Sequence, residues 1–337
     1  MLCVDAFSEY SGGMNKSMKA TSISEIGAPS VLQSTQIQTP TPGKNQVLVK
    51  TAAVGVNFIE TYQRSGVYPV QLPFIPGSEA AGTVVELGEA VHNIQVGQRV
   101  ATASATHTYA EYFLVDAQKC VAIPDSVSDE DAAAVPLQGM TAHYLINSTF
   151  NVKAEHTVVF HAGAGGVGGI ALQLLKAKGA TVIATVSTDA KEKIAYSHGA
   201  DHVVRYENFA DRVLEITDEQ GVDVVYDSVG KDTFDDSLRC LKKRGMMVLF
   251  GGASGQVPPL DPQKLNQLGS LFLTRPTLAD YTLTREEISW RMGDLFDAIT
   301  AGTLTVTVDQ VFPLKDAASA HEYLEARKTR GKVVLVP

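Results

Sequence analysis

The stretch Val158-Val159-Phe160-His161-Ala162-Gly163-Ala164-Gly165-Gly166-Val167-Gly168 decides the fold. A short apolar β-type run ends in glycines spaced G-x-G-x-x-G at Gly163, Gly165 and Gly168. Residues 170–178 follow as a helix-compatible stretch that stops at Gly179, and the apolar run Thr181–Val186 opens a second strand. A strand–loop–helix–strand unit of about 30 residues carrying those glycines is a dinucleotide-binding pattern. Gly163 permits the tight turn, Gly165 lets the backbone approach a pyrophosphate, and Gly168 lets helix and strand pack closely. The helix start then offers unpaired N–H groups and a positive dipole end to phosphates, without a charged side chain. The same spacing alone is a weak signal shared by many glycine-rich loops; the flanking elements give this one its meaning.

Outward from that unit, residues 141 to about 272 alternate strand and helix patterns. Further apolar strands are expected at 201–204, 222–227, 246–250 and 270–273. Six such near-continuous apolar runs predict a doubly wound parallel sheet in an α/β fold. From 19 to about 140 the pattern is different. Short strand-like runs (46–54, 82–87, 110–115) are separated by Pro40, Pro42, Pro73, Pro76 and Pro124, which suits an irregular β-barrel. The C-terminal part adds amphipathic helices near 285–301 and 316–328. A last strand, Lys332–Val336, is expected to return to the first part's sheet. The expected organisation is an extension at 1–17, a substrate domain from 18–140 and 273–337, and an inserted nucleotide domain at 141–272. The substrate then sits in the cleft between the two domains.

At 337 residues the chain is long enough for two cores. No apolar stretch approaches the ~20 residues of a membrane span. A net charge of −9 argues against nucleic acid or an anionic membrane as the main partner. Lys242-Lys243-Arg244 is the best candidate for a basic patch, with solvated charge at a helix end as its plainer reading. Cys3, Cys120 and Cys240 are odd in number and widely spaced. They suit neither a disulfide framework nor a thiolate zinc site, and they fit a reducing cytosol. The first 17 residues include Asp5, Glu9 and a Gly-Gly pair but no basic segment leading into an apolar run, so they read as a disordered extension with Met18 starting the first strand.

Several segments carry a resemblance. They are 55–62 with 64–69, Pro76-Gly77-Ser78-Glu79-Ala80-Ala81-Gly82, the glycine loop, 225–230, Leu273-Thr274-Arg275-Pro276 and 313–317. In this order the chain, from about Met18 to Pro337, resembles the medium-chain dehydrogenase/reductase superfamily, and within it the zinc-independent quinone oxidoreductases of the zeta-crystallin-like branch. The resemblance implies a GroES-like β-barrel-type domain with an inserted Rossmann domain. It implies a homodimer joined through edge strands, for which Leu271-Phe272-Leu273 is the candidate. It implies that Asn57, Tyr62 and Tyr68 line the nicotinamide and substrate end, and that Thr141 stands where the chain passes into the cofactor domain. Gly165, Gly166, Val167 and Gly168 would hold the pyrophosphate. Ser187, Lys191 and Tyr206 would grip an adenosine 2′-phosphate. Ser228, Phe250 and Gly251 would face the cofactor from strand ends, with Arg275 and Arg327 near the cleft.

The zinc-using relatives of that superfamily carry a Cys near the place of Asn57 and Gly-His-Glu where this chain has Gly77-Ser78-Glu79. An amide and a hydroxyl do not substitute for thiolate and imidazole ligands, so no catalytic metal is expected. Nor do His92, His107, His143 or the other histidines fall at zincin spacings. An acceptor that takes hydride without a Lewis acid is therefore expected. Asp189, 21 residues past Gly168, is the candidate for an NAD-type ribose contact. It falls three residues beyond the end of the second strand, however, where it reads as the start of a helix with Glu192 in a capping-box arrangement. Ser187, Lys191 and Tyr206 instead suit a dianionic phosphate, which favours NADPH. The expected activity is NADPH-dependent quinone reduction, with Tyr62 as candidate proton donor and Asn57 orienting the carboxamide or polarising the acceptor. Tyr62 is open to a second reading as a packing aromatic. An enone or alkenal reductase is the nearest alternative. A non-catalytic NADPH-binding protein, crystallin-like or RNA-binding, is the alternative of a different class, and acidity weighs against RNA.

Overall fold

The computed structural model describes residues 17–326 and 329–337. The disorder expected of the N-terminal extension and the cofactor contact expected of Arg327 lie outside the described residues. Seven strands precede the glycine-rich unit: β1 (Ser17–Ser22), β2 (Gln33–Gln38), β3 (Gln46–Val56), β4 (Ala80–Leu87), β5 (Arg99–Thr102), β6 (Tyr112–Asp116) and β7 (Val121–Ala122). The first begins at Ser17, one residue before the expected Met18. Six more form the middle of the chain: β8 (Thr157–Phe160), β9 (Thr181–Val186), β10 (His202–Arg205), β11 (Val222–Asp227), β12 (Leu241–Leu249) and β13 (Phe272–Thr274). The chain closes with β14 (Val308–Pro313) and β15 (Lys332–Val336).

Strands β8 to β13 form one six-stranded sheet in the order β10-β9-β8-β11-β12-β13, every neighbouring pair parallel. That is the doubly wound order, with the direction of winding reversing between β8 and β11. The crevice at their carboxyl ends is where such sheets bind ligands. Strand β11, Val222-Asp223-Val224-Val225-Tyr226-Asp227, is buried at every position because helices cover both sheet faces. The helix Gly166–Ala177 buries Ile170, Leu172 and Leu175 against the sheet. Each contributes about 1.5–3 kcal/mol by leaving water. Gly179 ends that helix region at a φ of 79°, a left-handed conformation that favours glycine.

The second sheet has the order β14-β15-β3-β4-β5-β7, with β6 also paired to β3. The long β3 is its backbone, pairing antiparallel with β4, β6 and β15. The last strand thus returns from the far end of the chain to residues 54–56. This return matters for the site, because it places Lys332 beside the segment that follows β3. Residue 141, where the sequence pattern changes, lies inside the helix Pro136–Tyr144. The helix Arg285–Thr300 packs on that helix through Met292, Leu295 and Phe296 and shares its core with the parallel sheet.

Candidate functional site: the crevice between the sheets

The glycine loop follows β8. Gly165 N–H donates to Ala162 O at 2.8 Å, and the next residue opens the helix Gly166–Ala177, whose first turn carries no acidic side chain. Helix starts leave backbone N–H groups unpaired, and an anion satisfies them. At two of its glycines the loop has no room for a side chain. A Cβ on Gly168 would lie 2.3 Å from Ala162 O, and one on Gly166 would lie 2.2 Å from Gln138 Oε1. Across from it, a groove is walled by Gln138, Gly165, Gly166, Thr307, Arg330 and Lys332. Backbone donors facing a groove with Arg330 on its far side fit a pyrophosphate, while the Lys332 ammonium is turned inward to Glu79 and Asn57. Neither Arg330 nor Lys332 was legible from the glycine motif.

At the end of the crevice expected to take the adenosine, Ser187 is exposed just past β9 and Lys191 is half-buried on the helix Asp189–Ser197. That helix is capped by Thr188, whose side chain accepts from Lys191 N–H at 3.3 Å. The expected cap at Asp189 is therefore displaced by one residue; Asp189 is the first helical residue. Tyr206 sits 6.0 Å from the His161 ring, stacked on it, and its hydroxyl accepts from Ala162 N–H at 3.1 Å. Its position is thus tied to the glycine loop. The thread continues inward, since His161 bonds Thr185 and Ser237 through its two ring nitrogens, each at 2.8 Å. Burial holds the His161 imidazole below its ordinary pKa.

At the other end of the crevice, Ser228 follows β11, while Phe250 and Gly251 follow β12. Asp227, fully buried, accepts from Val229 and Gly230 N–H and from the Thr233 and Ser237 hydroxyls. This fixes the loop bearing Ser228. Phe250 and Gly251 N–H both donate to Asp227 O, and a Cβ on Gly251 would lie 2.5 Å from Ser228 O. The three predicted residues are therefore brought together in one close backbone contact. Thr141 is buried on the helix Pro136–Tyr144. Arg275 lies exposed just beyond β13, with Nη1 donating to Pro276 O at 3.2 Å.

Asn57 caps the helix Phe58–Ser65 and is buried, but its amide is already engaged. Oδ1 accepts from Lys332 Nζ at 2.6 Å, and Nδ2 donates to Glu79 Oε2 at 2.8 Å. Lys332 Nζ also donates to Glu79 Oε2 at 2.5 Å, and Glu79 Oε1 accepts from Leu137 N–H at 2.6 Å. Glu60 accepts from Asn57 N–H at 2.6 Å. Glu60, Glu79 and Lys332 are buried essentially completely. Asn57 is thus the link of a buried ionic network, with most of its amide spent inward. On the exposed side of the same helix, Tyr62 meets Tyr68 edge-on at 5.5 Å, forming an aromatic wall. Sequence reasoning missed Glu60, Glu79 as a charge partner, and Lys332. The signal available was an ionisable residue inside the apolar run Lys332-Val333-Val334-Leu335.

Burial pushes the Glu60 carboxyl up from 4.5 to about 8, against the pull of Lys332. The native state therefore keeps a proton that the unfolded chain has lost. This contribution to stability is full below about pH 4.5 and is lost as the pH rises through about 8. Glu60→Gln keeps the shape and cannot ionise. Its stability relative to the parent is expected to improve steadily between those pH values, as read from urea midpoints. Parallel curves would show that Glu60 does not titrate in that window.

With the geometry in hand, comparison with known proteins is direct. Residues 43–125 match the alcohol dehydrogenase GroES-like domain, and residues 198–335 match a family described as zinc-binding dehydrogenase. A quinone oxidoreductase of Salmonella typhimurium is 46% identical, over 92% of this chain and 97% of its own. A 2-haloacrylate reductase of a Burkholderia species is 42% identical, over 94% of this chain and 98% of its own. A solved mycobacterial structure complexed with NADPH is 50% identical with a TM-score of 0.92, covering 95% of this chain and all of that one. Nearly whole-length agreement at this identity, with Asn57 and Ser78 at the metal-ligand places, means that the chain belongs to the zinc-independent quinone oxidoreductases of the medium-chain dehydrogenase/reductase superfamily.

Proposed function

We infer that this chain is an NADPH:quinone oxidoreductase that transfers hydride without a metal. The observation that carries the reading is the floor of the crevice. Where zinc-using relatives place ligands, Asn57 is hydrogen-bonded to Lys332 and Glu79. This arrangement offers fixed charge and positioning rather than Lewis-acid coordination. NADPH, when bound, supplies the hydride. Residues 165–168 hold its pyrophosphate, Ser187, Lys191 and Tyr206 receive its 2′-phosphate, and Thr141, Ser228, Phe250, Gly251 and Arg275 border it. The crevice lies between a catalytic part, 18–140 with 273–337, and a cofactor part, 141–272. Tyr62 and Tyr68 form the apolar wall on which a flat acceptor ring rests.

A quinone needs little help from the protein, because the reduced oxyanion is a phenolate with a pKa near ~10. Tyr62 is the proton donor within reach of that wall. Tyr62→Phe is expected to lower kcat about tenfold above neutral pH, where solvent protons are scarce, and to leave the KM for NADPH unchanged. An unchanged kcat across pH reduces Tyr62 to a wall. The resemblance to 2-haloacrylate reductase makes an activated C=C the competing acceptor. Stopped-flow or steady-state NADPH oxidation with 1,4-benzoquinone, 9,10-phenanthrenequinone and an α,β-unsaturated ketone, with and without chelator, tests the assignment. Turnover confined to the ketone, or abolished by chelator, overturns it.

The assembly we propose is a homodimer through β13, an edge strand on which Phe272 is 57% exposed beside Leu273. A monomer mass at micromolar concentration would contradict it. No helix among the described residues is long and apolar enough to cross a membrane, and Cys120 and Cys240 are free and buried. The free thiols agree with the reducing cytoplasm that we propose as its compartment.

A further inference from the structure

Arg205 closes β10, in register with Val186 at the end of β9, and so stands directly beside the segment assigned to the adenosine end. Its Nη1 donates to Thr188 O at 2.8 Å. Its Nη2 donates to Asp189 Oδ1 at 2.5 Å and to Glu192 Oε2 at 2.6 Å. One guanidinium thus holds both acidic residues of the first turns of the helix Asp189–Ser197. Asp189 is the residue whose distance from the glycine loop would suit an NAD-type ribose contact, and here it is bound to a cation. The carboxylates and Lys191 share one small surface, so their charges act together on any phosphate placed there.

We propose that Arg205 selects the coenzyme in this chain, pairing with Asp189 and Glu192 so that a 2′-phosphate is accepted where two bare carboxylates would repel it. This rests on the nucleotide-binding reading above and adds to it the determinant of NADPH over NADH. Selection then depends on a charge count. With Arg205 present, the two carboxylates are met by Arg205 and Lys191. Without it, a phosphate dianion faces an acidic pair offset by Lys191 alone, while the neutral 2′-hydroxyl of NADH is indifferent to the change or gains an acceptor in Asp189. An exposed surface screens such charges, yet a dianion within several ångströms of the site still feels them.

The test is calorimetric binding of 2′,5′-ADP and of 5′-AMP, with steady-state KM values for NADPH and NADH alongside. Arg205→Ala is expected to weaken 2′,5′-ADP by at least about tenfold and to leave 5′-AMP within about twofold or tighter. The KM ratio of the two coenzymes should move in the same sense. Asp189→Asn with Glu192→Gln, in the presence of Arg205, should tighten 2′,5′-ADP. Adding these two changes to Arg205→Ala should restore most of the lost affinity, because nothing is left to shield. Equal losses for both nucleotides, or no recovery in the triple variant, would overturn the proposal. Failure of the unaltered protein to bind either nucleotide would instead overturn the cofactor assignment itself, so the two failures are told apart.

Discussion

Replacing Lys332 by methionine is expected to cost about 3–5 kcal/mol of unfolding free energy, the penalty for stranding a buried charge. Glu79 is fully buried and the Lys332 side chain is 1% exposed. The ammonium supplies Glu79 Oε2 with its 2.5 Å partner and Asn57 Oδ1 with its 2.6 Å donor. Methionine fills nearly the same space with no charge, so the carboxylate remains with the Leu137 N–H and the Asn57 amide alone. Adding Glu79→Gln should return most of the loss, because a neutral amide is far cheaper to bury than an unpaired carboxylate. Urea unfolding of the two single variants and the double variant closes the cycle, and the coupling between the two sites should exceed 1 kcal/mol by roughly two- to threefold. Additive effects would mean that the pair is not held in the folded protein. The same variants report on the site. Freed of Lys332, the Asn57 amide is held through Nδ2 alone and its oxygen has lost its donor, so kcat should fall even in conditions where the variant is fully folded.

That network also marks where sequence reasoning reached its limit. The parallel sheet was legible because its central strands β8, β9 and β11 are short, mostly β-branched runs covered on both faces, and such runs announce themselves without tertiary information. The glycine loop was legible because glycine alone fits its tightest position; a Cβ at Gly168 meets backbone, not a movable side chain. The contacts of Asn57 are different in kind. Its partners Glu79 and Lys332 lie 22 and 275 residues away in the chain, and no periodicity links them. They meet only because β15 crosses back to the end of β3. Asn57 was singled out through resemblance, yet its expected orienting role must now be exercised through an amide whose oxygen and nitrogen both face inward partners. The adenosine end shows a subtler gap. The helix start was placed correctly to within one residue, but whether the cap was Thr188 or Asp189 decided which side chain stayed available. Arg205, on the neighbouring strand β10, holds Asp189 and the Thr188 carbonyl in that arrangement, and no local pattern links it to them.

Gly168→Ala is expected to abolish useful coenzyme binding. Its added carbon would stand 2.3 Å from Ala162 O and 2.8 Å from Gly163 Cα, both backbone atoms of the loop itself. Relief requires the loop and the start of the helix Gly166–Ala177 to move apart. That strain is worth about 1–3 kcal/mol in unfolding free energy, by analogy with overpacked cores. The functional loss should be larger. In the proposed binding mode phosphate is held by several backbone N–H groups whose directions are set by this contact, and a displacement of ~1 Å costs on the order of 100-fold when several donors must converge. Gly166→Ala separates the two effects. Its clash is with the Gln138 amide end, which can swing away, so the fold should survive while the carbon intrudes on the groove. Gly293→Ala is the control, since its Cβ meets nothing within 4 Å on the helix Arg285–Thr300. It should gain up to about 1 kcal/mol of helix propensity and leave binding unchanged. Fluorescence titration with NADPH across the three variants, each checked for folding, decides the matter. If Gly168→Ala bound NADPH like the parent, the close helix–strand contact would not be what shapes the anion site, and the glycine spacing would owe its presence to packing alone.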